Sequence, residues 1–456
     1  MASRANNLPQ NMQNAHMQPQ EQRLPPATSI KVPEPVIQFE ATVTGQFFRR
    51  LFQIIFYVQL GLIFILVITL TIRGLLFAAN HHHFRPREWY PPLLVSIACA
   101  GFVSLTWQWI TFIKPSKAIK AAFWISPLLT CGVGVLHVLI GSAGSLAVGS
   151  IALVIALIQS LYSCWVTPRF EYAAKILSVS TAFPPAQTTG FVFLWVAATV
   201  VYCSFMVMGI GGATATRTGI DILFITVIVL SLAWTLQVIK NMLYVTISRV
   251  RYLNFACGDD MDTEVALRDT FRHLTGSVCI GSGLVPVISV IRGSSRAINL
   301  FARDSDEFLF SCADCYSGVA SCLIRCGNRW GFVHVGVYNK GFVQASSDTW
   351  EMFKRAGMVE LIDSDLTGAF CFLCGVAGGS ICSLVAGTWT LIIHKSYASA
   401  VSIYAFLMGY FMCRIAMAWQ QACVSAYYVA YAENPDSQRF DATIPARLEE
   451  LQRYRE

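Results

Sequence analysis

The sequence predicts an all-α fold: a polytopic membrane helix bundle of about ten transmembrane helices, with both termini cytosolic. Three observations carry this. Hydrophobic residues make up 55% of the 456 positions and charged residues only 13%, a balance that no soluble domain of this size tolerates on its surface. The apolar residues come in runs of about 20, the length at which a helix crosses a hydrocarbon core. Basic residues sit in the short segments between runs, where they set orientation. The net charge of +7 thus reads as topology, and with no nucleic-acid motif beside it no nucleic-acid partner is expected.

Residues 1–44 are rich in Gln, Asn and Pro without apolar period and read as a disordered cytosolic tail. A transporter-sized membrane domain is expected over 45–432, and a second cytosolic tail over 433–456. Arg49 and Arg50 precede the first span, 51–72, and hold the N-terminus inside. The triple His81, His82 and His83 reads as a solvated loop, since no carboxylate or Cys stands near it to complete a metal site. The second span, 92–112, ends at Lys114, Lys117 and Lys120. The third, 121–140, carries His137 as a hydrogen-bonded structural residue, and GSAGS makes a tight turn into the fourth, 146–165. A Pro184-Pro185 loop leads to the fifth, 191–210.

The sixth span, Ile220 to Arg249, stands apart. At 100° per residue, Trp234, Gln237, Asn241, Tyr244 and Ser248 share one stripe. Amides and aromatics on one side of a spanning helix belong against protein or a cavity, with lipid on the other sides. Lys240, about 30 Å along the helix from Ile220, is expected to extend to the cytosolic interface. An amphipathic surface helix follows within 258–274. The seventh span, 275–291, is opened by Gly276, Ser277, Gly281 and Gly283, which let a neighbouring backbone approach or leave room for a ligand.

The segment 308–323 is only moderately apolar; as an eighth span it keeps both the basic stretch 325–355 and the C-terminus inside. The ninth, 366–393, is rich in glycine, and the tenth, 398–420, contains Arg414. The 15 cysteines read as reduced packing residues, including Cys312, Cys315, Cys322 and Cys326, because no pair of CxxC motifs at zinc spacing occurs. No cofactor or metal is expected. Without HExxH, GxSxG or a Walker sequence, an enzyme is not expected either.

The stretches AWTLQVIKNMLYVTISR, LTGSVCIGSG, VGVYNKGF and the YAE at Tyr431 to Glu433 resemble the choline transporter-like family (solute carrier family 44), particularly its fungal and plant branch. The matches run from Asp221 to Glu433 in order, with WVTPRFEYAAKIL a weaker match before them. This chain departs from the family pattern at Tyr244, where a His is usual, at Ser248 and Arg249, where Ala-Gly is usual, and at Ser425, where an Asp is usual. The resemblance implies movement of choline or a related small organic cation; a lipid-handling or trafficking role without choline transport is the alternative, and membrane lipids are expected partners in either case. The plasma membrane is the expected location, an endomembrane the other. Oligomeric state is left open.

A quaternary ammonium cannot donate a hydrogen bond, so its site needs aromatic faces and a polar group for the hydroxyl. The expected substrate-binding residues are Trp234, Gln237, Asn241 and Tyr244 on the sixth span, Ser277 on the seventh, Trp389 on the ninth, and Tyr404 and Tyr410 on the tenth. Asp221 and Asp365 sit at span ends and, outside the weakly apolar segment 308–323 with its Asp314, none lies in mid-span, so transport is expected to be facilitative, driven by a membrane potential worth about 2.3 kcal/mol per charge per 100 mV.

Overall fold

Backbone amides in a bilayer must be satisfied within their own segment, and long helices answer that requirement here. The computed structural model describes residues 43–80, 85–182, 186–216, 219–302 and 307–453. The N-terminal tail and His81 to His83 lie outside them. In chain order the helices are α1 (Val43–Asn80), α2 (Pro86–Ile113), α3 (Pro115–Ile140), α4 (Ala143–Val166), α5 (Phe170–Thr181), α6 (Ala186–Thr216), α7 (Gly219–Cys257), α8 (Thr263–Asp269), α9 (Thr275–Ala302), α10 (Glu307–Cys326), α11 (Gly331–Tyr338), α12 (Phe342–Arg355), α13 (Val359–Ser364), α14 (Thr367–Ile393), α15 (Lys395–Ala416), α16 (Ala418–Glu433) and α17 (Thr443–Arg453). No strand occurs among the described residues. Nine helices there are long and apolar enough to cross a membrane, α1, α2, α3, α4, α6, α7, α9, α14 and α15 among them. The protein is an integral membrane α-helical bundle. The segment expected as an eighth span is helical, as α10, and its side chains from 307 to 315 lie outside the described residues.

Local chemistry sets the turns. Gly141, at φ +74°, ends α3 in the left-handed conformation. Ser142 then caps α4 by accepting from the Ser145 amide at 3.2 Å. Pro115 opens α3 immediately after Lys114, where its missing N–H costs no helical bond. Asp262 caps α8 by accepting from the Glu264 amide at 3.0 Å, which places the expected surface helix. Its last turn widens into a π-helix over Thr270–Leu274 before α9 begins.

The outer helices face lipid. On α1, Leu62, Ile65 and Leu76 are more than half exposed, as are Leu157, Ile158 and Leu161 on α4. Because lipid is as apolar as these side chains, association inside the bundle rests on close packing. At Gly212 of α6 an added Cβ would lie 2.2 Å from the Leu70 carbonyl oxygen of α1; at Gly378 of α14 it would lie 2.1 Å from Cys413 Sγ of α15. These contacts hold α1 to α6 and α14 to α15.

Two expectations change. The stretch 325–355 is not an extended loop: α11, GFVHVGVY, is buried from Gly331 to Gly336 and packs on α7 and α16. The last apolar run breaks at Met417, after which α16 is buried from Ala418 to Ala432. Replacing Gly212 with Val should cost about 1–3 kcal/mol of stability through overpacking, read as a lower midpoint of thermal unfolding in detergent. Gly61→Ala, where an added Cβ meets nothing within 4 Å, should leave the midpoint unchanged or raise it.

Candidate functional site

Helix α7 is a surface helix in its first half and an internal one in its second. Ile222 and Leu230 are 72% and 65% exposed, whereas every residue from Lys240 to Ser248 is buried. The expected lipid contact therefore ends before Lys240. Protein closes around the helix because α16, α11, α9, α6 and α15 all pack on it. Lys240 does not extend to an interface: only 6% of it is exposed. Its depth in the bundle, not its distance along the helix, decides its environment.

The stripe meets several partners. Trp234 is half-buried and stands edge-on to Phe56 of α1, ring centroids 5.7 Å apart. Gln237, one turn on, is also half-buried. Asn241 is buried and its Nδ2 donates to Ser282 Oγ of α9 at 2.9 Å; that hydroxyl donates to the Val278 carbonyl at 2.7 Å. Tyr244 stands edge-on to Phe332 of α11 at 5.8 Å. Its hydroxyl lies beside Ser425 of α16 but makes no hydrogen bond of normal length. Thr246 Oγ1 lies 3.3 Å from Thr270 Oγ1 in the π-helix. The polar half of α7 is thus tied to α9, to α11 and to the π-turn.

The other expected residues distribute unevenly. Ser277 is buried, with its hydroxyl 3.5 Å from the Lys340 carbonyl, nearer the α11–α12 turn than Ser282. Gly276 and Gly281 are filled by close contacts, with the Arg49 carbonyl and with Phe332 and Phe342; Gly283 has open space. Tyr404 packs, half-buried, on the same core as Trp234. Tyr410 stacks with Phe406 and stands edge-on to Phe372. Trp389 is 37% exposed, about one turn from the end of α14, where an amphipathic indole suits a membrane interface. It is not gathered with the stripe.

Residues from α1 and α6 add to what the stripe suggested. Gln59 Nε2 donates to Ser231 Oγ of α7 in a short hydrogen bond. The Tyr202 hydroxyl of α6 lies beside Thr235 and Ser231. Ser231 and Thr235 stand on α7 about 60–100° round from Trp234, so together the faces form a wider polar sector. Gln59, one of two amides with Gln53 in an apolar first span, was the available signal.

Below the stripe, Glu433 at the end of α16 is held by α7 and α11. Tyr338 Oη donates to both its oxygens at 3.0 Å, His334 Nε2 lies 3.2 Å from Oε1, and the Tyr252 hydroxyl donates in a short bond. Burial alone would raise the carboxyl, but these hydrogen bonds and the His334 charge outweigh it and hold its pKa below the ordinary 4.5. The cluster fixes the polar end of α7 against α11 and α16. An open cavity of about 320 Å³ at the opposite turns, between Gly141 and Lys395, includes none of the stripe residues.

The sequence model of a family described as plasma-membrane choline transporter matches residues 150–436. The chain is 24% identical to protein pns1 of Aspergillus fumigatus over 241 residues, 49% of this chain and 44% of that one. It is 26% identical to PNS1 of Debaryomyces hansenii over 231 residues, 47% and 45% of the two chains. A CTL-like protein of Dictyostelium discoideum is 22% identical over 312 residues, 64% of this chain and 54% of that one. The chain spans about half the length of the relatives it matches.

The Glu433 cluster predicts a pH signature. A carboxyl whose folded pKa lies below its unfolded one stabilises the fold fully above the unfolded value, and that contribution is lost as pH falls through the folded one. Glu433→Gln should lower thermal stability relative to wild type at neutral pH, and the gap should narrow as the pH drops below 4.5. Thermal unfolding in detergent across an acidic series reads this out.

Proposed function

Since the chain belongs to the choline transporter-like family, we propose that it carries choline or a related organic cation across a membrane, with the plasma membrane as its site. Helix α7 supports this reading best: a spanning helix that turns from lipid-facing to fully enclosed where its amides and aromatics lie. The half-buried Trp234 and Gln237 sit at that transition, with Phe56 beside the indole. An aromatic face and a side-chain amide are the parts a quaternary ammonium and its hydroxyl need. Asn241, fixed by Ser282, continues the polar side of the helix inward.

Choline enters along the electrical gradient in this reading, so no coupling ion is required. A single positive charge gains about 2.3 kcal/mol per 100 mV. Among the described residues, the acidic groups near spans are engaged: Asp221 pairs with Arg73 at 3.5 Å, and Asp365 pairs with Arg329.

Uptake of radiolabelled choline into proteoliposomes should be saturable and should rise with an inside-negative potential. Trp234→Ala should weaken apparent affinity about 3–30-fold, the equivalent of a cation–π contact of about 0.7–2 kcal/mol. Asn241→Ala should reduce uptake as well. No uptake above empty vesicles would reject choline as cargo; unchanged uptake by both variants would remove α7's stripe from the path.

A further inference from the structure

Positive charge collects on the side of α7 next to the stripe. Lys240 lies within electrostatic reach of Arg414 on α15, Arg329 ahead of α11, and Cys371 on α14. Asp365 is the carboxylate at this centre, almost wholly buried, and Arg329 takes it. Asp365 also accepts from the Thr367 amide and hydroxyl. Lys240 and Arg414 are left with no carboxylate in ion-pair distance among the described residues. Lys240 is more than nine-tenths buried, on a helix enclosed by protein at that level.

Arg414 reaches this centre across α14 because position 375 is glycine. An added Cβ there would stand 2.9 Å from Arg414 Cγ and 3.0 Å from Tyr410 Cδ2. Tyr244, one turn after Lys240, brings a hydroxyl that is also buried and without a hydrogen bond of normal length, 2% of the residue being exposed. Lys240 buried without an ion pair, the half-buried Arg414 near it and a Tyr244 hydroxyl without a hydrogen bond of normal length leave donors short of acceptors inside the bundle. They suit an oxyanion.

We propose that Lys240 and Arg414, with the Tyr244 hydroxyl, bind a phosphate monoester. The charge fits: at pH 7 a phosphate monoester carries about −1.5 to −2, which two cations neutralise, and its three terminal oxygens accept from an ammonium, a guanidinium and a phenol. A free cation such as choline gains nothing from this centre and is repelled by it. A phosphorylated amino alcohol presents an ammonium to Trp234 and Gln237 and a phosphate to Lys240 and Arg414. The same chemistry is offered by a monoester lipid headgroup entering between helices. The inference therefore stands whether or not choline itself is carried.

Full-length protein in detergent, titrated with phosphocholine, inorganic phosphate and choline, and separately with phosphatidylcholine vesicles with and without phosphatidic acid, tests this. Phosphocholine or phosphatidic acid should bind the wild type. Lys240→Gln and Arg414→Gln should each weaken that binding at least about tenfold, and Lys240→Arg should largely keep it. Binding of the soluble ester identifies a free substrate; binding of phosphatidic acid vesicles alone identifies a lipid headgroup. Both outcomes support the site.

Should the Gln variants fail to fold, the wild type answers alone. Pyridoxal 5′-phosphate condenses with an amine, losing water, and borohydride reduces the imine to a stable secondary amine; mass spectrometry should find Lys240 labelled, and phosphocholine or phosphatidic acid should suppress the label. No binding by any phosphate probe, binding unchanged in both variants, or no suppressible label on Lys240 overturns the proposal. Choline binding and its loss in Trp234→Ala are read in the same titrations and bear only on the cation reading.

Discussion

A bilayer offers no partner for a buried amide, hydroxyl or ammonium, so a helix that carries many of them must be wrapped in protein. Helix α7 carries Gln237, Lys240, Asn241, Tyr244, Thr246, Ser248 and Arg251 within four turns, and the bundle is arranged to meet that demand. Asn241 finds Ser282 on α9, Thr246 finds the π-turn, and Arg251 donates to the Ser180 and Ala182 carbonyls at the end of α5. The short helix α11 and α16, buried from Ala418 to Ala432, complete the enclosure. Neither is needed to cross the membrane; both cover α7 where lipid cannot.

The outer layer follows a different rule. With no apolar driving force between helices in lipid, α1 against α6 and α14 against α15 depend on glycines that bring backbones together. The same device serves the centre: Gly375 leaves room for Arg414, and Gly336 brings α11 close to the Val245 carbonyl of α7. Packing and polar chemistry are therefore set by the same small residues.

The spans were legible because twenty-residue apolar runs have one structural solution in a membrane. The stripe from Trp234 to Ser248 was legible from its period. What lay beyond the sequence was enclosure. Periodicity assigns one polar face, and it cannot show that α7 is surrounded on all faces from Lys240 to Ser248; Lys240 was therefore expected at an interface and stands instead in the interior. GFVHVGVY is too short for a span and reads as part of a basic loop, yet α11 enters the bundle. Trp389 shares the chemistry of the stripe residues but stands at the surface, because composition does not give depth. Gln59 joins α7 through a contact 172 residues away in sequence, which no local pattern encodes.

If substrate follows the enclosed half of α7, a bound cation must lie where the helix passes from lipid to protein. A cryo-electron microscopy structure of the full chain in lipid nanodiscs with saturating choline shows this directly. The account predicts density for the trimethylammonium against the Trp234 ring and within hydrogen-bond reach of Gln237 for the hydroxyl. Choline density away from α7, or none beside Trp234 at saturating concentration, would contradict it.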